Sequence, residues 1–323
     1  MMDQQVIKLS GLTKCYGTFK AVNELNLSIN KGEIFGLLGP NGAGKTTTIL
    51  MMMGLTEPTE GTVHVCGYNS TYDPISVKKQ VGYMPDSVGF YDNMTALENL
   101  MYIGELNGIP ADELEERALE VMDVVGLSGA AIHKKTSAYS RGMKQRLGLT
   151  EVLIKKPQII ILDEPTLGID PSGVKEFLSL IRRLSRERGL TVLLSSHHLY
   201  QVQQVCDRVG IFVKGELLVE GNLDSLSKGL FSEKSYEICV SLMDDIEVPW
   251  REESALLQLD GIQNVLVDGN KVEITGNEDV TPDIVSFFVE KGYRVTGVHK
   301  KEYGLEDIYQ KYFENNKTEE VYQ

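Results

Sequence analysis

The chain runs as short apolar bursts separated by turns, with helical periods between them, and this pattern predicts an α/β protein. Residues 6–12 and 25–30 read as short strands, and Glu33-Ile-Phe-Gly-Leu-Leu38 reads as a buried one. Residues 47–53 (Thr-Thr-Ile-Leu-Met-Met-Met) predict a buried helix. Gly61-Thr-Val-His-Val-Cys-Gly67 alternates between bounding glycines as another strand, and Val81-Gly-Tyr-Met-Pro85 predicts one closed by its proline. From residue 95 the period changes. Thr95-Ala-Leu-Glu98 has capping-box spacing, and Leu114, Ala118, Leu119, Met122 and Val125 recur at helical intervals over 111–126. Residues 140–154 are helical again. Gln158-Ile-Ile-Ile-Leu162 is a continuous apolar run of the kind buried on both faces in a parallel sheet. A helix over 173–188, a strand over 190–195, a helix over 199–207 and a strand over 209–214 continue the alternation. The helix-rich block from about residue 87 to 156 interrupts that order and predicts an inserted helical subdomain.

The pattern changes once more after Gly221. Residues 222–235 read as a weak helix and linker. A strand over 236–242, a helix over 253–259, a hairpin around Asp268-Gly-Asn270, a helix over 281–291 and a strand over 294–299 follow. That order is similar to a small ferredoxin-like βαββαβ unit. Charge separates the same two regions. Residues 223–323 hold 21 acidic and 10 basic residues, net −11, which leaves net −3 of the total −14 on residues 1–222. Two domains are therefore expected, 1–222 and 223–323, the second a small α+β accessory unit.

Composition narrows the function. An acidic chain without a basic block is a poor match for a phosphate backbone, so no nucleic-acid partner is expected. The four cysteines (Cys15, Cys66, Cys206, Cys239) are far apart and form no Cys-x-x-Cys, which gives no zinc or disulfide framework and fits a reducing cytosol. No apolar core follows the opening Met-Met-Asp-Gln-Gln, so no signal peptide is expected, and no run approaches the ~18 apolar residues of a membrane span.

The chemistry centres on Gly39-Pro-Asn-Gly-Ala-Gly-Lys45-Thr46, a glycine loop set between predicted strand and helix. Glycines there let the backbone wrap closely and aim N–H groups at phosphate oxygens, and the helix N-terminus adds positive potential. Lys45 would reach the outer phosphates and the Thr46 hydroxyl would take a place on Mg²⁺. This is a nucleoside triphosphate site. A second signal is Ile159-Ile-Ile-Leu-Asp163-Glu164-Pro165, an apolar strand ending in two carboxylates. Asp163 is placed to hold Mg²⁺, and Glu164 to polarise the attacking water as general base.

Between these lies Tyr139-Ser-Arg-Gly-Met-Lys-Gln-Arg146, which resembles the signature of ATP-binding-cassette (ABC) ATPases, Leu-Ser-Gly-Gly-Gln followed by x-Gln-Arg. Ser140 and Gly142 match it; Arg141 and Met143 depart from it. Other stations fall in order: Tyr16 where an aromatic stacks on adenine, Leu167-Gly-Ile-Asp170 as the D-loop, and Ser195-Ser-His197 as the switch histidine, with His198 the weaker candidate. The resemblance covers about residues 6–221. It implies a P-loop NTPase core of ABC type, with ATP and Mg²⁺ as cofactors. Nucleotide contacts are implied at Tyr16, Gly39, Asn41, Gly42, Gly44, Lys45, Thr46, Thr47, Ser140 and Gly142; metal contacts at Thr46, Asp163 and Asp86; catalytic roles at Glu164, His197 and Asp86. Asp86 occupies the Q-loop, where the family most often has Gln. It either approaches the metal or caps the turn after Pro85.

The resemblance further implies a head-to-tail dimer of two copies, each signature facing the other copy's ATP, and a separate integral membrane permease. Residues 90–94 (Phe-Tyr-Asp-Asn-Met) stand where such cassettes receive a permease helix. Such a chain would sit in the cytoplasm, peripheral on the membrane through that partner. The wording of Gly36-Leu-Leu-Gly-Pro40 and of 140–146, and the closing residues 304–312, are most like exporters of the ABC-2 type. An importer ATPase and a soluble regulatory ATPase of the same fold are the alternatives.

Overall fold

The computed structural model describes residues 5–222, 225–226, 236–247 and 249–301. The tail at 304–312 and most of the segment at 222–235 lie outside them. The chain divides into two compact units, Met1–Leu223 and Asp224–Gln323.

The first unit holds two sheets. Strands β1 (Gln5–Tyr16), β2 (Phe19–Asn30), β4 (Glu60–Val65) and β5 (Tyr68–Asn69) form an antiparallel sheet in the order β2-β1-β4-β5. Strands β3 (Ile34–Leu38), β6 (Val81–Met84), β7 (Ile159–Asp163), β8 (Thr191–Ser196) and β9 (Arg208–Val213) are parallel, and β10 (Glu216–Gly221) is antiparallel at the edge. Their order is β10-β9-β3-β8-β7-β6. Every residue of β3, β7 and β8 is buried, and the apolar residues within each run together without alternation. Helix α1 (Lys45–Met52) contributes Ile49, Met51 and Met52 to one core shared with strands of both sheets, including Leu9, Leu27, Phe35, Ile161 and Leu193.

Helices α3 (Ala96–Leu106), α4 (Ala111–Val124) and α5 (Arg141–Leu153) pack on one another between β6 and β7. Both bonds of the capping box at α3 are made: Thr95 Oγ1 accepts from Glu98 N–H (3.2 Å) and Glu98 Oε2 from Thr95 N–H (2.7 Å). Helix α6 (Pro171–Arg188) starts on the Asp170 cap with proline in its first turn and ends at Gly189. Val174, Phe177, Leu178, Ile181 and Leu184 give it one buried stripe. The short α7 (Leu199–Gln203) leads into β9.

Several boundaries differ from the sequence reading. β1 and β2 are twelve residues each and pair almost to the turn at Gly17. Register shifts near Leu12 and Lys14, with Gly11 at φ +54°, break the alternation that marks a strand in sequence. Helix α2 (Pro74–Gln80) and strand β10 were not anticipated, and α7 is shorter than residues 199–207.

The second unit has strands β11 (Tyr236–Leu242), β12 (Ile262–Asp268), β13 (Lys271–Gly276) and β14 (Val295–Lys300), all antiparallel, ordered β12-β13-β11-β14. A single turn, α8 (Glu253–Leu256), and helix α9 (Thr281–Glu290) complete a ferredoxin-like order. Its core joins Ile238, Val240, Val272 and Ile274 to Leu256, Ile284 and Phe288. Trp250 stacks on Phe288 with ring centres 5.5 Å apart, and its Nε1–H donates to Tyr293 Oη at 2.8 Å.

Candidate nucleotide site

Three neighbouring strands, β3, β8 and β7, deliver the predicted residues to one edge of the parallel sheet, the carboxyl end where open α/β sheets bind ligands. The glycine loop follows β3, Ser195-Ser196-His197 closes β8, and Asp163-Glu164 closes β7. The loop needs its glycines. A Cβ at Gly39 would lie 2.0 Å from the Phe212 carbonyl oxygen, and one at Gly44 (φ +104°) 2.3 Å from the Ala21 carbonyl oxygen. Gly44 is the N-cap of α1, so the first N–H groups of that helix open beside Gly42 (φ +82°) and the exposed Asn41.

Lys45 is 5% exposed, and its Nζ donates to the carbonyls of Gly39 (2.7 Å) and Pro40 (3.1 Å). The same ammonium lies 3.4 Å from Glu164 Oε1, a buried oxygen with no hydrogen-bond partner among the described residues. Thr46 Oγ1 donates to Asp163 Oδ2 at 2.9 Å, and the Ser195 hydroxyl donates to Asp163 Oδ1. Thr47 is half-buried in the same helical turn. Asp163 is buried, and that burial pushes its carboxyl up from the usual range; bonds from Ser195 and Thr46 oppose the shift, while Glu164 and Asp86 add to it.

Glu164 sits at φ +48°, a left-handed conformation that costs a residue with a Cβ about 1–2 kcal/mol. Register holds it there: Asp163 pairs with Ser195, and Glu164 N–H donates to the Ser195 carbonyl (3.2 Å) and hydroxyl (3.1 Å). His197 Nδ1 is 2.9 Å from Glu164 Oε2. A carboxylate only accepts, so Nδ1 carries the proton in that contact. His198 is exposed, and its backbone N–H bonds the Ser196 hydroxyl.

The other predicted residues stand around this cluster. Tyr16 ends β1, its ring exposed with the Lys14 ammonium 5.2 Å from the centroid. Asp86 follows β6, exposed, and makes no hydrogen bond or ion pair among the described residues. Its charge nevertheless acts here: with burial first and Asp163 second, it pushes the Tyr83 phenol up to about 12. Ser140 caps α5, accepting from Met143 N–H at 3.3 Å, with Gly142 in the first turn. Among the described residues no hydrogen bond or ion pair joins Ser140 or Gly142 to Lys45, Asp163, Glu164 or His197. The sequence reading assigned no role to Ser195 or Tyr83, which only strand register brings to the carboxylates.

A family model described as "ABC transporter" matches residues 22–167. The bacitracin transport ATP-binding protein BcrA of Enterococcus faecalis is 37% identical over 311 residues, 96% of this chain and 97% of that one. The chain belongs to the ABC transporter family. BcrA of Bacillus licheniformis is 43% identical over 223 residues, 69% of this chain and 72% of the relative. The dimeric ATP-binding cassette MJ0796, in a post-hydrolysis state bound to ADP and Pi, superposes with TM-score 0.60 at 27% identity, covering 67% of this chain and 98% of its own.

This ABC chain is thus the ATP-hydrolysing subunit of a transporter, with ATP as substrate and Mg²⁺ as cofactor. The residues fit both. The loop has no room for side chains at Gly39 or Gly44, and Thr46 and Asp163 are all-oxygen donors of the kind Mg²⁺ takes. Among the described residues no cluster of three or more His, Cys, Asp or Glu forms a cation cage. Among them, too, no helix is long and apolar enough to cross a membrane.

Proposed function

We propose that this cassette powers export through a separate membrane permease, by closing with a second copy of itself head to tail around two ATP molecules. Glu164 carries the reading. One of its oxygens is held by His197 and the other is buried, unbonded and 3.4 Å from the ammonium that must move onto phosphate. When Lys45 turns to the phosphates, Oε1 becomes the free base. Water attacks the γ-phosphorus, its proton passes to Glu164, and the bond to the ADP oxygen breaks. His197 orients Glu164 through Nδ1–H, so Nε2 can donate to the γ-phosphate only as imidazolium. Thr46 and Asp163, joined by Asp86 in this reading, would hold Mg²⁺, which when bound would neutralise charge on the phosphates.

In this reading Ser140 and Gly142 act on the nucleotide of the other copy. The helix start they form is suited to an anion. The two relatives named for bacitracin transport support a transport role, and we place the chain on its permease at the cytoplasmic membrane face. Tyr91 and Tyr102, exposed and packed edge to face at 5.3 Å, offer an apolar seat for the permease. Glu164→Gln tests the core of the reading. It should keep ATP binding, lose at least about 100-fold in turnover and accumulate an ATP-bound dimer in light scattering. Unchanged steady-state turnover would remove Glu164 from the role of base.

A further inference from the structure

Arg141 stands between Ser140 and Gly142, where the family signature has glycine, and none of the roles above uses it. Its Nε–H donates to the Leu167 carbonyl at 2.8 Å. The next residue, Gly168, is at φ +73°, and a Cβ there would lie 2.6 Å from Arg141 Nε and 2.8 Å from its Cδ. The guanidinium therefore lies over the backbone of this turn, in space that a side chain at 168 would take. The same turn begins at the base: Leu167 N–H donates to the Glu164 carbonyl at 3.1 Å. It ends in Asp170, whose side chain accepts from Gly173 N–H at 3.1 Å as the cap of α6. One short path thus runs from the anion-binding end of α5 through Arg141 and Leu167 to the strained Glu164.

We propose that Arg141 is a positioning residue, a latch that joins the start of α5 to the 164–170 turn of the same copy. When Ser140 and Gly142 of one copy meet the other copy's nucleotide, the latch transmits that docking to the first copy's own Glu164. The two ATP sites are thereby coupled. The inference rests on the head-to-tail reading above. A glycine at 141 has no donor for the Leu167 carbonyl, so the coupling is particular to chains with a long donor at this position.

The test uses the full chain and two readouts. In Arg141→Ala, ATP affinity of the separate copy, measured with a fluorescent ATP analogue at low protein concentration, should stay within about twofold, and so should KM. An exposed, solvent-screened hydrogen bond of this kind is expected to change kcat by about fivefold to tenfold. In the Glu164→Gln background the ATP-bound dimer should need about fivefold to tenfold more protein to form. Arg141→Lys, which keeps one donor, should recover part of both losses. Gly168→Ala, which drives a Cβ into the guanidinium, should mimic Arg141→Ala, and the double variant should be no worse than the worse single one. Equal dimerisation and turnover with and without Arg141, or effects of the two substitutions that simply multiply, would overturn the latch alone. If Glu164→Gln with ATP stays monomeric at every concentration, the head-to-tail reading fails and the latch falls with it.

Discussion

Asp163, at the nucleotide edge of the parallel sheet, and Asp279, in the C-terminal unit, are held in opposite ways. Burial pushes Asp163 up, and two neighbouring carboxylates, Glu164 and Asp86, add to the push. Asp279 lies near the surface, where bonds from Lys300 (2.6 Å) and Thr281 (2.6 Å) pull it down to about 2. The contrast extends to the surroundings. Beside Asp163 stand a glutamate in left-handed backbone and an unbonded buried oxygen. In the C-terminal core, Trp250 gives its N–H to Tyr293, which gives its O–H to Glu252 at 2.9 Å. Misfit collects where a substrate must complete the site, and the C-terminal core shows satisfied packing instead.

The largest effect expected from this contrast is in the C-terminal core. Trp250→Ala removes the ring stacked on Phe288 and should cost that unit about 3–5 kcal/mol, seen as a lower-melting transition in calorimetry. ATP binding at the other unit should stay within about twofold. A matching loss of ATP affinity would show that the contrast is false and that both units draw on one core.

Glu164 allows a finer test. Glycine adopts φ +48° freely, while alanine meets the same steric penalty as glutamate. Both substitutions delete the carboxylate near Lys45, so the difference between them isolates the backbone. Glu164→Gly should be more stable than Glu164→Ala by about 1 kcal/mol in urea unfolding. Equal stabilities would mean that the strand end relaxes and that no strain is stored at the base.

Asp86 comes next in size. Its field reaches Asp163 and Tyr83, and it forms no cap among the described residues. Asp86→Asn should raise the Mg²⁺ concentration for half-maximal turnover about threefold, with Asp86→Glu milder. A titration identical to that of the parent would leave Asp86 as a distant charge and take it out of the metal site.

The nucleotide loop was legible because each requirement is local. Glycine spacing, an apolar strand before and a helix after are all read within about twenty residues. The carboxylates after Ile159-Ile-Ile-Leu were legible for the same reason. Helix α2 carried a readable local sign, Asp73-Pro74, with the Asp73 side chain accepting from Ser76 N–H at 3.2 Å. So did the hairpin into β10, whose Lys214-Gly215 turn has φ +49° and +88°. The Ser195 bond to Asp163, the left-handed Glu164 and the Arg141 contact with Leu167 are different. Each joins residues 26 to 32 positions apart or depends on the β7–β8 register, so no local pattern contains them.

The smallest effect sharpens the first comparison through pH. Asp279 has a folded pKa near 2 against an ordinary 3.8, so its charged form is favoured by folding. The stability it lends is complete above about pH 4 and fades as pH falls toward 2. Asp279→Asn should therefore weaken the C-terminal unit slightly at pH 6, by less than about 0.5 kcal/mol, because the pair with Lys300 is exposed and screened. The gap between parent and variant should narrow between pH 4 and pH 2, and 1 M salt should shrink it at pH 6. Urea midpoints at these conditions check the sign. A gap that widens on acidification would mean that the Asp279 carboxylate destabilises the fold, and the likeness drawn between a low pKa and a satisfied charge would fail at this residue.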